Sequence, residues 1–531
     1  MLGAMQDWPL RLERLIDHAA REHGSREIVT RWADGSTDRT TWMGVHRDAR
    51  RLAQALTALG IKQGDRVATL AANHARHLVS WFGVIGTGAV IHTINPRLFD
   101  DQIVYIANHA EDRVLIYDQA FEAAVERLKP RFETIEHFIC FNPDSGDGGF
   151  EALIAPYGGD YVWPEGDERA PAMLCYTSGT TGNPKGVLYE HRSQMLHTFV
   201  QISPDVFSIS SRAVILPVTP LFHAGAWGLP FAAAMTGSKL VFSVSNEPAV
   251  LHRLILDEKV THSCGVPTIW LALLQYVECE GAGLGKLSHI SCGGSAAPRA
   301  LIGAFMDRGI QFSHAWGMTE TSPIGTAAAL PAEWDDMDRE TRLDHLQKQG
   351  YSCFGLELRI VDDEGQPLPR DGKSSGLLQI RGAWVVARYF RADTSATDSD
   401  NWFDTGDIAV IHPDGVLQLT DRAKDVIKSG GEWISSVELE NAAIACPCVA
   451  EAAAIGIFHP KWDERPLLLC VAKPGVEPSA ERVREALIGR IAKWWMPDEI
   501  LFVDELPHTG TGKILKSELR ERYRDHKLPG A

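Results

Sequence analysis

The stretch whose reading decides the fold is Tyr176-Thr-Ser-Gly-Thr-Thr-Gly-Asn-Pro-Lys-Gly-Val187. Its glycines, Gly179, Gly182 and Gly186, let backbone N–H groups turn inward with no side chain in the way. Hydroxyls on Thr177, Ser178, Thr180 and Thr181 can donate to phosphate oxygens, and Lys185 adds a cation. Met173-Leu-Cys-Tyr176, just ahead, reads as a buried strand. A surface turn explains a Gly-rich loop alone, but not one so dense in hydroxyls and closed by a lysine. A Walker loop needs Ser or Thr after its lysine, and here Gly186 follows Lys185; the Gly-x-Gly-x-x-Gly pattern of dinucleotide folds is absent too. The loop is read as a phosphate cradle of another kind.

Around it, short β-type runs alternate with helical stretches. Arg66-Val-Ala-Thr-Leu-Ala, Arg113-Val-Leu-Ile-Tyr, Ala213-Val-Ile-Leu-Pro-Val and Lys239-Leu-Val-Phe read as strands, and Asp48 to Leu59 as an amphipathic helix. This alternation predicts α/β layers with largely parallel sheets. Asn142 to Asp167 reads as loop, and the charged run Pro331 to Gly350 as a solvated helix or excursion. From Leu377 the pattern becomes β-rich, with Ile408-Ala-Val-Ile-His-Pro-Asp-Gly-Val-Leu-Gln-Leu forming two strands around a Pro-Asp-Gly turn. After Asp421 a smaller α+β unit is expected: a capping box at Ser435-Ser-Val-Glu438 opening a helix towards Cys446, strands at Val449–Ile457 and Pro466–Lys473, and a helix over Ser479–Trp495.

A length of 531 residues predicts three to five compact units, and 45% apolar with 23% charged residues excludes wholesale disorder. The net charge of −17 excludes a grip on nucleic acid through the global field, though not a local nucleotide site. The nine cysteines, unpatterned, read as small buried hydrophobes in a reducing cytoplasm. The N-terminus lacks the pattern of a signal peptide, and no run approaches ~18 apolar residues, so a soluble chain without a membrane span is expected.

Further motifs follow in order: Gly293-Gly-Ser-Ala-Ala-Pro298, His314-Ala-Trp-Gly-Met-Thr-Glu320, Trp402-Phe-Asp-Thr-Gly-Asp407, Asp421-Arg-Ala-Lys-Asp-Val-Ile-Lys-Ser-Gly-Gly-Glu-Trp-Ile-Ser435 and Leu506-Pro-His-Thr-Gly-Thr-Gly-Lys-Ile-Leu-Lys516. With the phosphate loop, this set resembles the adenylate-forming superfamily of acyl-CoA synthetases, luciferases and peptide-synthetase adenylation domains. The resemblance implies a large N-terminal region, residues 1–421, of two α/β subdomains and a β-barrel-like subdomain, and a small mobile α+β lid, residues 422–531. It implies ATP, Mg2+ and CoA as the small molecules bound.

Residue by residue, the resemblance places Ser178, Gly179, Thr180, Thr181, Gly182 and Lys185 on the ATP phosphates. Gly294, Ser295, His314, Ala315, Trp316 and Gly317 fall at the adenine and acyl-pocket wall, and Thr319 at the α-phosphate. Glu320 is a hard oxygen ligand suited to Mg2+, with Thr177 its expected partner. The Asp407 carboxylate can accept two hydrogen bonds from a ribose diol, and Arg422 resembles a second ribose contact. Asp421 resembles the family's hinge residue; taken alone it reads as a solvated aspartate. Lys424, Lys428 and Trp433 resemble positions near nucleotide and hinge, and Gly430 and Gly431 suit close approach to a pantetheine arm. Lys513 is expected to carry the first half-reaction, because a desolvated ammonium offsets the repulsion between a carboxylate and an α-phosphate.

For the acid, Pro220-Leu-Phe-His-Ala-Gly-Ala-Trp-Gly-Leu-Pro230 is the most informative stretch. His223 resembles the residue at the acyl-site entrance and joins Lys513, Thr177 and Glu320 in the implied catalytic set. Trp227 resembles the indole that gates the acyl tunnel of fatty acyl-CoA synthetases, a pattern shared with methylmercaptopropionate-CoA ligases. No acidic residue follows His223 to hold a substrate ammonium, so an apolar acid, fatty or short thioether, is expected. His314 and Trp316 stand where Gln and Tyr are usual, and the larger Trp316 is expected to shorten the tunnel. The rival readings are an aryl or short-chain acid ligase, a luciferase-like oxygenase or adenylation-only enzyme, and a non-enzymatic nucleotide binder. A homodimer is left open.

Overall fold

The computed structural model describes residues 3–141, 149–177, 183–329, 331–430, 432–508 and 514–529. Packing divides the chain into two units, Met1–Glu357 with Arg381–Phe403, and Leu358–Ile380 with Asp404–Ala531. By packing, therefore, residues 358–380 and 404–421 go with the C-terminal part. The boundary expected at residue 421 concerns where the chain pivots and is taken up below.

The first unit holds two sheets. In the six-stranded one the order is His137–Cys140, Asp112–Tyr117, Arg66–Leu70, Val90–Thr93, Pro171–Tyr176, Gly186–Glu190. All neighbours are parallel except the last pair. The nine-stranded sheet has a parallel centre, Gln311–Gly317, His289–Cys292, His262–Gly265, Val214–Pro217, Lys239–Ser243 and Glu27–Arg31, with antiparallel strands at its ends. Parallel strands covered on both faces read as continuous apolar runs, and Leu240, Val241 and Phe242 are all fully buried. The expected strands thus stand within a residue or two of their predicted bounds.

The helix expected from Asp48 begins earlier, at Trp42. Thr41 caps it by accepting from Gly44 N, and the buried Trp42 indole donates to Ser238 O at 3.0 Å. Its apolar stripe, Val45, Ala49, Leu52 and Leu56, follows helical spacing. The stretch expected as loop at Asn142–Asp167 contains a short helix, Phe150–Ile154; residues 142–148 lie outside the described residues. The charged run before Gly350 is a helix, Arg339–Leu346, capped by the Asp338 carboxylate.

In the second unit, a four-stranded sheet in the order Leu356–Val361, Ser375–Gly382, Phe403–Ile411, Leu417–Arg422 occupies the place expected of the barrel-like subdomain. The C-terminal part is the expected α+β layer. Its long hairpin Val449–His459 with Asp463–Ala472 is flanked by Ile427–Ser429, Glu432–Ile434 and Glu499–Phe502. Ser435 caps the helix Ser436–Ile444 by accepting from Glu438 N. The helix expected over Ser479–Trp495 is shorter: it spans Ala480–Leu487. Ile488 leaves the helical region, and Gly489 takes a positive φ that ends the turn. Eight cysteines are buried as expected, but Cys279 is exposed on the surface of its helix, which corrects the uniform reading. Among the described residues no helix is long and apolar enough to cross a membrane.

Candidate active site

In open α/β sheets, ligands meet the carboxyl ends of the parallel strands, and the first unit's motifs lie there. Strand Pro171–Tyr176 runs into the Gly-rich loop, and Gly186–Glu190 returns antiparallel with Tyr176 opposite Gly186. The loop is pinned at its base: Thr177 N donates to Lys185 O at 2.9 Å and Lys185 N to Thr177 Oγ1 at 3.4 Å. Ser178, Gly179, Thr180, Thr181 and Gly182 lie outside the described residues.

In the other sheet, His289–Cys292 leads into Gly293-Gly-Ser-Ala-Ala-Pro298, and its parallel neighbour Gln311–Gly317 leads into Met318-Thr-Glu320. Gly317 admits no side chain, since a Cβ would sit 1.7 Å from Pro323 O. The turn Thr319–Thr321 is held by Met318 N donating to Pro323 O at 3.0 Å and by Tyr189 Oη donating to Thr319 O at 2.7 Å. Glu320 is buried. Val386 N donates to its carbonyl and Tyr389 Oη to its Oε1, both at 2.8 Å. Lys185 Nζ lies 4.9 Å from the centre of the Tyr389 ring. Phe390 N donates to Gly186 O at 2.8 Å. Lys185 and Glu320, predicted separately, are therefore brought together through Tyr389, which the motifs do not contain.

The His314 imidazole is buried, with Nδ1 2.9 Å from Gln347 O and Nε2 accepting from Ala297 N at 3.3 Å. Burial pulls its pKa down, so the ring is neutral with its proton on Nδ1. Both nitrogens are taken by backbone, so His314 braces the segment that carries Gly294 and Ser295. Beside it, a Cβ on Gly293 would meet Ala315 O at 2.7 Å and the Trp227 indole at 3.2 Å, so Gly293, Ala315 and Trp227 are packed together. The Trp316 indole lies over Gly325, where a Cβ would be 2.4 Å away.

Trp227 sits on an unusual backbone. Ala224, Gly225, Ala226, Trp227 and Gly228 all have φ between +40° and +77°, a left-handed turn that costs L-residues roughly 1–2 kcal/mol each. It is held from both sides: His223, half-buried, accepts from Ala226 N at 3.1 Å, and Gln201 Nε2 donates to Trp227 O at 2.6 Å. The approach to His223 is fixed by Asn73, which the sequence reading missed. Its buried amide donates to Pro217 O and Thr219 O at 3.1 and 3.0 Å and accepts from Leu221 N at 2.7 Å.

In the second unit, Asp407 and Arg422 face each other across antiparallel strands, and Arg422 Nε is 2.7 Å from the buried Asp407 Oδ1. Asp421 is not solvated, which corrects the expectation: it is 4% exposed. Its Oδ1 accepts from Ser436 Oγ at 2.9 Å and its Oδ2 from Ser436 N at 2.5 Å. Lys516 Nζ donates to the same Ser436 hydroxyl at 2.7 Å and is 2.6 Å from Glu440 Oε1. Burial pushes the Asp421 and Glu440 carboxyls up, against the pull of Lys516. Burial works against the Lys516 ammonium too, but the two carboxylates carry it above its ordinary value. Lys428 and Trp433 pair across the short hairpin, and Lys424 and Lys428 are exposed. Gly430, at φ +61°, donates to Trp462 O at 2.7 Å, and a Cβ there would lie 2.9 Å from the Trp462 ring. Gly431 and Lys513 lie outside the described residues.

Residues 16–390 match the family described as AMP-binding enzyme, and residues 438–513 match the AMP-binding enzyme C-terminal domain. The chain belongs to the AMP-binding enzyme family. The resemblance read from the motifs is borne out. This AMP-binding enzyme is 46% identical to a Ruegeria pomeroyi protein named 3-methylmercaptopropionyl-CoA ligase, over 99% of both chains. It is 45% identical to an Ectopseudomonas oleovorans protein named medium-chain-fatty-acid–CoA ligase, over 99% of this chain and 98% of that one. Among solved structures, the anthranilate CoA ligase AuaEII in complex with anthranoyl-AMP matches with a TM-score of 0.87 at 26% identity, covering 98% of this chain and 99% of that one. ATP-bound MatB from Rhodopseudomonas palustris gives 0.84 at 25% identity, covering 98% and 99%. The expected fold class is borne out with them.

Proposed function

We propose that this chain activates an apolar carboxylic acid, fatty or short thioether in type, with 3-methylmercaptopropionate the first candidate. The chemistry is acid–CoA ligation: ATP and the acid give an acyl-adenylate and pyrophosphate, then CoA takes the acyl group and AMP is released. The observation that carries the reading is the convergence of Lys185, Tyr389 and Glu320 at the base of the Gly-rich loop. The end-to-end likeness to the two named ligases supports the choice of acid, as does the packing of the Trp227 indole against Gly293 and Ala315.

Under this reading, Thr177 and the Gly-rich loop hold the phosphates, with Lys185 as their cation. Glu320 fits Mg2+: it is a buried carboxylate with a phenol donor on one oxygen, and Mg2+ is held by one or two such ligands plus substrate phosphates rather than by an all-protein cage. When bound, the ion neutralises charge on the phosphates and on the leaving pyrophosphate. Gly294, Ser295, Ala315, Trp316 and Gly317 line the adenine and acyl walls, with His314 as brace. Thr319 serves the α-phosphate, and His223 and Trp227 stand at the acyl entrance.

Asp407 accepts from the ribose diol, with Arg422 beside it. That places an anion and a cation 2.7 Å apart. The acid's carboxylate oxygen attacks the α-phosphorus, the bond to pyrophosphate breaks, and Lys513 offsets the negative charge gathered there. The sulfur of CoA then attacks the acyl carbon, AMP departs, and the thiol proton is lost to solvent. We place the pivot between these steps at Asp421, with residues 422–531 as the lid. Lys424, Lys428, Gly430, Gly431 and Trp433 then serve the second step. A soluble cytoplasmic enzyme is consistent with this chemistry, and the reading needs no second subunit.

A screen of CoA-dependent AMP release over C2–C18 fatty acids, methylmercaptopropionate and aromatic acids tests the assignment. The highest kcat/KM is expected for methylmercaptopropionate or a medium-chain acid; a preference for aromatic acids overturns the choice of acid. Lys513→Ala is expected to lower adenylation at least about 100-fold while sparing thioester formation from added acyl-adenylate. Wild-type adenylation in that variant removes Lys513 from the mechanism.

A further inference from the structure

Tyr389 touches both Lys185 and Glu320, yet has no part in the chemistry above. Its hydroxyl is 2.8 Å from Glu320 Oε1. A carboxylate oxygen only accepts, so the phenol donates. The face of the same ring lies under Lys185 Nζ at 4.9 Å, within cation–π range. One aromatic ring thus holds an anion at its edge and a cation over its face.

The backbone around it is tied to the same two elements. Val386 N donates to Glu320 O, and Phe390 N donates to Gly186 O, the residue after Lys185, each at 2.8 Å. Gly186 leaves room for this approach, since a Cβ there would meet Phe390 Cβ at 3.1 Å. Residues 386–390 therefore strap the phosphate hairpin to the carboxylate turn. Lys185 is exposed on a long flexible stem, and a ring beneath it reduces the rotamers it must give up when phosphates arrive.

We propose that Tyr389 is a positioning residue for the nucleotide site: its hydroxyl orients the Glu320 carboxylate for Mg2+, and its ring seats Lys185 beside the phosphate loop. The proposal rests on the ligase reading of this site. Tyr389→Phe keeps the ring and loses the hydroxyl, and Tyr389→Leu loses both. ATP binding is measured by calorimetry with Mg2+ and with EDTA, alongside the Mg2+ dependence of AMP release.

Tyr389→Phe is expected to raise the half-saturating Mg2+ concentration about tenfold, as loss of a partner behind a metal ligand does. It should leave ATP binding in EDTA, the KM for the acid and the melting temperature unchanged. Tyr389→Leu is expected also to weaken ATP binding in EDTA, and this extra loss should vanish when Lys185→Ala is already present. Tyr389→Phe with wild-type Mg2+ dependence overturns the proposal. So does an equal loss with and without Mg2+ accompanied by a lower melting temperature, which marks a structural role. A wild-type chain that binds ATP yet releases no AMP with any acid and CoA defeats the ligase reading instead, and calorimetry still reads the Tyr389 variants.

Discussion

The first unit buries neutral imidazoles beside compact ion pairs such as Arg11–Glu13 and His92–Asp112, whereas the second gathers one lysine between two carboxylates. In the first, His77, His191 and His197 are at most 1% exposed. Their hydrogen bonds run to neutral groups, Thr69 Oγ1 and Ala72 O for His77, Leu12 N for His191 and Ile324 N for His197, and the His191 ring also lies 3.6 Å from the Glu13 carboxylate. Burial pulls all three down to about 3. In the second, a lysine and two carboxylates share one interior around Ser436, and they stay there because they face each other. A neutral imidazole needs one or two hydrogen bonds to tolerate burial, whereas a buried charge needs a counter-charge and most of its hydrogen-bonding capacity filled. The first arrangement is sensitive to protons, the second to the loss of any one member.

Acidification should break the symmetry most. An unfolded histidine takes up its proton near pH 6.5 and these folded ones only near 3, so between those values the unfolded state binds more protons. Stability then falls as pH falls below 6.5, by up to about 1.4 kcal/mol per pH unit for each histidine and up to roughly 4 for the three together. The raised carboxyls of Asp421 and Glu440 act the other way, since the folded state protonates first and is relieved by acid. Hydrogen exchange at pH 7.0 and 5.5 is expected to show protection lost mainly in the first unit. Equal loss in both would dissolve the contrast.

Next in size is Lys516→Met, which leaves two buried carboxylates facing each other without a cation. It is expected to destabilise the second unit by about 3 kcal/mol, while Lys516→Met combined with Glu440→Met should recover much of that. Denaturant unfolding with a probe in the second unit measures both, and a loss below about 0.5 kcal/mol would mean that the network is solvated. The smallest effect concerns neither kind of burial. Trp316→Tyr, at the position proposed for the acyl pocket, is expected to raise kcat/KM for acids longer than the preferred one by roughly tenfold. No gain on longer acids removes Trp316 from the determinants of chain length.

Much of this was legible from local pattern. A strand, a hydroxyl-rich loop and a returning strand are consecutive in the chain, so the phosphate hairpin could be read directly. So could Asp407 and Arg422, which flank a Pro-Asp-Gly hairpin that places them opposite each other. What escaped depends on partners distant in sequence. Tyr389 lies 69 residues from Glu320, and its only local signal is an aromatic pair with Phe390 beside a polar run. The burial of Asp421 depends on Ser436, 15 residues on, and on Lys516, 80 residues beyond Ser436. Asn73 braces the approach to His223 by holding Pro217, 144 residues away in the chain. The over-long helix after Ser479 has a different cause: its apolar spacing continues past Leu487, but Gly489 ends the helix.

The left-handed turn from Ala224 to Gly228 bears on how the segment proposed to meet the acid can change over generations. In ordinary helices the drift from alanine to glycine is punished and its reverse rewarded. Here the sign is inverted at Ala224 and Ala226, and Gly225 and Gly228 are locked, because a Cβ would also press on Met173 and Trp81 at one position and on His197 and Gln201 at the other. A mutant library aimed at new acids would do better to leave these five codons and the glycines Gly317 and Gly325 alone and vary the Trp316 side chain itself.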